Sequence, residues 1–210
     1  MTKVTVLNKL ACQLGRRDEA PNQKLAEEIV DGNDRRAVDE LVENLSNKDQ
    51  SIQSDCIEVL YEIGERKPEL IADRTQDFGR LLSSKNNRLV WGAMTALDAV
   101  ATLNPKGVYD LLPLVIAATK SGSVITRDHG VAIFAKLAKE ERYAGICLPL
   151  LLEQLKASPD NQFPMYAEMS TSLISETNKK DFIKVFKHRM GRLKKKSQKK
   201  RVEKLLRKLA

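Results

Sequence analysis

A segment that recurs every 37 residues constrains this chain more than any other feature of its sequence. Residues 41–71, LVENLSNKDQSIQSDCIEVLYEIGERKPELI, align without a gap on residues 78–108, FGRLLSSKNNRLVWGAMTALDAVATLNPKGV. Leu45 meets Leu82, Ile52 meets Leu89, Cys56 meets Ala93, Leu60 meets Leu97, Ile63 meets Val100 and Pro68 meets Pro105. The same step carries Ala93 to Gly130, Leu97 to Phe134 and Val100 to Leu137, and then Gly130 to Ala167 and Leu137 to Ile174. A unit of this length cannot bury its apolar face alone and must stack on its neighbours. The small residue that recurs at Cys56, Ala93, Gly130 and Ala167 suits two helices whose axes approach closely within each unit.

The pattern inside each unit is helical. Ile52, Cys56, Leu60 and Ile63 fall at i, i+4, i+8 and i+11, one face of a 3.6-residue period, and Leu89, Ala93, Leu97 and Val100 repeat it. Asp34, Asp49, Asn87, Asn104, Asn178 and Ser197 are good N-caps, and Pro105 after Asn104 suits a first helical position. Pro113 and Pro149, each in a Leu-Pro-Leu, can open the first helices of the third and fourth units. The spacing predicts helices near 3–14, 22–31, 35–46, 50–65, 75–84, 87–103, 113–119, 124–140, 149–157, 162–176, 179–194 and 198–209. Turns over Pro68 and Pro105 link successive units, and the loop over residues 158–164 is the longest interruption. Val4-Thr5-Val6 is the one strand-like alternation, too short to outweigh the rest, and aromatics at 5% are sparse for a β-sandwich. The chain reads as all-α, a right-handed α-solenoid of about four helix pairs with degenerate caps.

A paired-helix unit of about 37 residues resembles the HEAT-repeat family of armadillo-like α-solenoids. The resemblance covers most of residues 35–186, with an N-terminal helical cap over 1–34 and a basic C-terminal capping helix or tail over 187–210. The family pattern has an Asp in the turn within the repeat and an apolar-Arg pair opening the second helix. Asp49 fits the first, where the next units carry Asn86 and Ser123; Arg127 fits the second, where the earlier units carry Gln53 and Val90. Most of the Asp-Arg ladder is therefore replaced. The resemblance implies a non-enzymatic scaffold whose second helices line a concave surface that binds a protein or peptide partner.

Charge is distributed unevenly. From Lys179 onward 15 Lys and Arg face only Asp181 and Glu203, a net +13, whereas residues 1–178 carry −5. Such asymmetry points the tail at something anionic: nucleic acid, a membrane surface, a partner, or the chain's own acidic body. Lys194, Lys195, Lys196, Lys199, Lys200 and Arg201 form the candidate anion-binding cluster. Val202, Leu205, Leu206 and Leu209 lie at i, i+3, i+4 and i+7 on the same segment, a stripe suited to capping the last unit. The charge and the cap are compatible on one helix.

On the second helices a polar line runs beside the apolar stripe: Trp91, Thr95, Asp98 and Thr102 in one unit; Ser54, Glu58, Tyr61 and Glu65 before it; Asp128, Ala132, Ala135 and Lys139 after it. Glu58, Tyr61, Trp91, Thr95, Asp98 and Asp128 are the candidate partner-binding residues. The acidic members suggest a partner with basic and apolar groups. Two readings fit Trp91: an exposed anchor, as Trp is common at interface hot spots, or a side chain packed between adjacent units.

No catalytic constellation is present. His129 follows Asp128 directly, but neighbours on a helix point about 100° apart, and the only other histidine is His188. No cofactor is expected, since no GxxxxGK[ST] or GxGxxG exists and the cysteines, Cys12, Cys56 and Cys147, form no CxxC pair. No metal site is expected. Each cysteine lies in an apolar stripe, where a thiol is inert. The alternative function is nucleic-acid binding through the basic tail, or an alkylpurine DNA glycosylase built from HEAT-like repeats. Such an enzyme needs a carboxylate in a basic, aromatic-lined cleft, and here Thr95 stands one turn after Trp91. Without an apolar run near 18 residues no transmembrane segment is expected, and without a signal-peptide core the cytoplasm is the expected location.

Overall fold

The computed structural model describes residues 5–209 and contains, among them, twelve α-helices and no strand. Its contacts divide the chain into two compact units, Met1–Gly130 and Val131–Ala210, with the boundary inside a helix. The first unit holds α1 (Ala20–Gly32), α2 (Arg35–Glu43), α3 (Gln50–Arg66), α4 (Thr75–Leu81), α5 (Asn87–Val100), the short α6 (Pro105–Tyr109), α7 (Leu112–Ser121) and the start of α8 (Val124–Leu137). In the second, the end of α8 is followed by α9 (Glu141–Ala157), α10 (Phe163–Ser170), α11 (Lys179–Arg192) and α12 (Lys196–Leu209).

Helix α3 is the centre of the first unit. It packs against its own partner α2 and lies between α1 and α5, the latter paired with α4. The predicted stripe is buried apart from its first member, the half-buried Ile52: Cys56, Leu60, Ile63, Ala93, Leu97 and Val100 are all inaccessible, and Leu89 nearly so. Burial of each such Leu contributes about 1.5–3 kcal/mol. The recurring small residue has its steric reason at Gly130, where an added Cβ would lie 2.0 Å from Thr119 Oγ1 on α7.

Turn chemistry repeats with the unit. Asp49 accepts from the Ser51 N–H at 2.8 Å, Asn86 from Arg88 N–H at 3.0 Å, and Ser123 Oγ from Thr126 N–H at 3.2 Å. These positions are 37 residues apart, so one cap opens each second helix. The cap of α5 is thus Asn86, not Asn87, which is the first helical residue. Asp34 and Asn104 cap as expected, with Pro105 leading α6. Asn178 precedes α11 without capping it, because its side chain is spent on Ser175 N–H and the Leu173 carbonyl. Ser197 lies inside α12.

Two further expectations need correction. Residues 5–14 form only a 3-10 turn at Leu7–Lys9 followed by irregular turns; residues 3 and 4, and with them Val4, lie outside the described residues. The amides of Ala11 and Cys12 donate to Asn22 Oδ1 at 2.9 Å and Asp55 Oδ2 at 2.7 Å, so they cannot close i→i−4 helical bonds. Gly15, at φ +67°, then turns the chain into α1. Pro149 does not open a helix. It is the ninth residue of α9, exposed, where the hydrogen bond it cannot make to the Gly145 carbonyl faces solvent.

The second unit is built on aromatic packing. Phe134, Phe163, Tyr166, Phe182 and Phe186 are fully buried, with Phe186 edge-to-face against both Phe163 at 6.2 Å and Phe182 at 6.1 Å. Helix α12 docks on α10 and α11 through Val202 and Leu205, while Leu206 and Leu209 of the same stripe are half-buried. Arg189, near the start of the basic tail, is 6% exposed and donates to the Lys156 carbonyl at 2.6 Å, the Ser158 carbonyl at 2.6 Å and Asp160 at 3.2 Å. Its guanidinium also lies over the Phe163 ring in a cation–π contact, 5.0 Å from the centroid. It ties the loop after α9 to α11.

Candidate functional site

The polar line of the second helices is largely an internal ladder joining one unit to the next. Asn22 on α1 donates to Glu58 Oε2 on α3 at 3.1 Å, and Arg88 on α5 binds the same oxygen. One turn further along, the Tyr61 and Trp91 rings meet at 5.4 Å and 48°. Beyond them Asp98 Oδ2 faces His129 Nδ1 of α8 at 2.9 Å. The partners lie 36, 30, 30 and 31 residues apart, and no family Asp-Arg signature marks them.

Placement differs among the candidate residues. Glu58 is 1% exposed and Thr95 5%, and the Thr95 hydroxyl donates to the Trp91 carbonyl at 2.9 Å, so neither is offered on an open surface. Tyr61 is buried, whereas Trp91, Asp98 and Asp128 are half-buried. Trp91 packs on Tyr61 of the neighbouring unit and is otherwise partly accessible. Glu65 is exposed, a turn beyond Tyr61.

Next to the Glu58–Arg88 pair lies a cavity of about 460 Å³, lined among others by Arg16, Arg17, Asn22, Asp55, Glu58 and Arg88. Within it the electrostatics are unfinished. Glu58 Oε1 and Arg88 Nε are buried with no hydrogen-bond partner among the described residues. Burial pushes the Glu58 carboxyl above its ordinary pKa, opposed by the bonds from Asn22 and Arg88. Burial likewise raises the Tyr61 phenol, with the Glu58 charge adding to it. Arg16, Arg17 and Asn22 were not among the residues singled out from sequence; they come from outside the recurring segment and only folding brings them to α3.

All three thiols are held above the ordinary thiol range. Cys12 is half-buried, not buried as expected, and desolvation together with Asp55 pushes it up to about 11. Burial raises Cys147 to about 11 and Cys56 further still. Among the described residues no group of three or more His, Cys, Asp and Glu could hold a metal ion. No helix among them is long and apolar enough to cross a membrane.

The anion-binding candidates separate in the same way. Lys194, Lys195, Lys196 and Lys200 are exposed and Lys199 half-buried. Arg201 instead makes two bonds to Glu168, at 2.8 and 2.6 Å, which hold the Glu168 carboxyl below its ordinary range. That residue belongs to the α10–α12 packing.

Solved structures share this fold. A designed armadillo repeat protein in complex with the peptide (KR)4 superposes with a TM-score of 0.68, at 13% identity, over 98% of this chain and 100% of that one. Computationally designed armadillo repeat proteins for modular peptide recognition match with a TM-score of 0.67 at 11% identity, over 90% and 92% of the two chains. An engineered protein matches with a TM-score of 0.64 at 16% identity, over 97% and 96%. The fold is that of a HEAT/armadillo-like repeat α-solenoid. No protein-family model matches the sequence, and no curated protein does either.

Proposed function

We propose that this chain is a non-enzymatic repeat scaffold that binds an extended basic peptide segment of a protein partner along the α1, α3 and α5 face of its first unit. The observation that carries the reading is the half-accessible Trp91, braced by Tyr61, beside a polar cavity that holds an unsatisfied carboxylate oxygen. A braced indole loses little conformational freedom on binding, which is why such side chains become hot spots. A guanidinium, ammonium or amide N–H entering the cavity would complete Glu58 Oε1, and a carbonyl of the same peptide would accept from Arg88 Nε. The fold is shared with a designed armadillo protein whose bound peptide, (KR)4, is of this basic kind.

Trp91 is the chain's single tryptophan, so its emission reports on the site directly. Titration with an alternating Lys-Arg octapeptide should shift and quench that emission, whereas an alternating Glu-Gly peptide should leave it unchanged. Glu58→Gln should weaken binding roughly tenfold or more, as expected for a hydrogen bond to a charged group. Trp91→Ala should weaken it beyond what its loss of packing on Tyr61 costs in stability, with calorimetry confirming that the variant is folded at the assay temperature. Equal affinity of both peptides, or full affinity of the Glu58 and Trp91 variants, would refute the reading.

A further inference from the structure

The second unit poses a separate question, because its basic residues outnumber its acids 19 to 8. Docking of α12 sorts its residues by side. Val202 and Leu205 are buried against α10 and α11, and Arg201 is occupied by Glu168. At 100° per residue the opposite side of the helix carries Lys196, Lys200, Lys204 and Arg207, spaced i, i+4, i+8 and i+11, and all four are exposed. Lys200, Lys204, Arg207 and Lys208 surround one surface depression, with Glu203 as its only acid. The cluster also opposes helix stability at one end: the first turn of α12 contains no acidic residue, although the positive end of the helix dipole favours one. An anion on this side would relieve both repulsions.

We propose that the line Lys196, Lys200, Lys204 and Arg207 binds the phosphate backbone of double-helical nucleic acid without reading its sequence. Three features select this occupant. On the apolar side of α12, Val202 and Leu205 are buried in the fold and Leu206 and Leu209 half-buried, which leaves little apolar surface to enter a lipid layer as a basic amphipathic helix would. Helix α12 itself contains no aromatic side chain, so unpaired bases find no stacking platform along the row. What remains is a rigid row of cations about 16 Å long, at 1.5 Å per residue, and this rewards the densest line of phosphates available. A duplex presents one charge per about 1.7 Å of axis, or about ten phosphates along that row. The row lies on a different unit from the peptide face and does not depend on the reading given for it.

The test is fluorescence anisotropy of a labelled DNA duplex of about 20 base pairs with the full chain, across roughly 50 to 200 mM salt. Four engaged phosphates at about 0.9 each give a slope of log K against log salt between about −3 and −4, or roughly a 100-fold loss across that range. Scrambling the duplex sequence should change nothing. The combined variant Lys196→Gln, Lys200→Gln, Lys204→Gln, Arg207→Gln should lose binding, whereas Lys24→Gln with Lys48→Gln should retain it. Should the combined variant fail to fold, each single change should still lower the slope by about 0.9. Absence of duplex binding at low salt overturns the proposal, as does a variant set with unchanged affinity and slope. Binding to phosphatidylserine vesicles without binding to the duplex overturns it equally, and assigns the row to a membrane surface.

Discussion

Replacing Gly130 by Ala should destabilise this protein, while the same replacement at Gly145 should stabilise it. Both glycines lie inside helices, α8 and α9, where Ala is ordinarily better than Gly by about 1 kcal/mol. At Gly145 nothing lies within 4 Å of an added Cβ, so that gain should appear in full. At Gly130 the new methyl would stand 2.0 Å from Thr119 Oγ1 and 2.9 Å from Thr119 Cβ and Cγ2. Thr119 is 1% exposed and its hydroxyl donates to the Val115 carbonyl at 2.7 Å, so it can yield only by breaking that bond or moving α7. Overpacking costs about 1–3 kcal/mol and the lost hydrogen bond about 1 kcal/mol. Less the propensity gain, the net loss is about 1–3 kcal/mol. Urea unfolding followed by circular dichroism measures both variants through the midpoint at constant slope. If Gly130→Ala raises the midpoint as Gly145→Ala does, α7 and α8 do not approach closely there, and the steric reason given for the small residue of the repeat is wrong.

Two other outcomes follow from the second unit. Arg189→Ala should cost about 2–4 kcal/mol, since it strands the buried Ser158 carbonyl and the part-buried Lys156 carbonyl, whereas Lys187→Gln, two residues away and exposed, should leave the melting temperature nearly unchanged. Glu168 is held below its ordinary pKa by Arg201, so its contribution to stability is present above the ordinary carboxylate range and lost as pH falls through the lowered value. Glu168→Gln should therefore lower the melting temperature slightly at pH 7, by the fraction of a kcal/mol typical of an accessible pair, and should shrink the acid-side loss of stability relative to the unmodified protein.

Much of the architecture was legible because burial in a repeat protein is periodic. Leu60 and Leu97 must be covered in every unit, so their spacing, their caps at Asp49 and Asn86, and the small residues at Cys56 and Ala93 recur together and declare the helix pairs. The candidate surface was legible only in outline. Its helices and the Tyr61–Trp91 positions could be placed by register, but not the degree to which each side chain is covered.

The sequence by itself determined the all-α class, the helix pairing, the capping stripe of α12 and the segregation of charge, since each depends on local spacing along one chain. Tertiary structure alone decided what the charged residues do. Asp55, Glu58 and Glu62 lie on the polar side of α3, yet all are buried, because in a stack that side is covered by the neighbouring α1 and α5. Arg189, Arg201 and Lys200 belong to one basic run, yet the first is a buried brace, the second an ion-pair partner of Glu168, and the third an exposed cation. A helical period fixes which way a side chain points; what stands there to meet it comes from residues about 30 positions away, and only the packed chain brings them together.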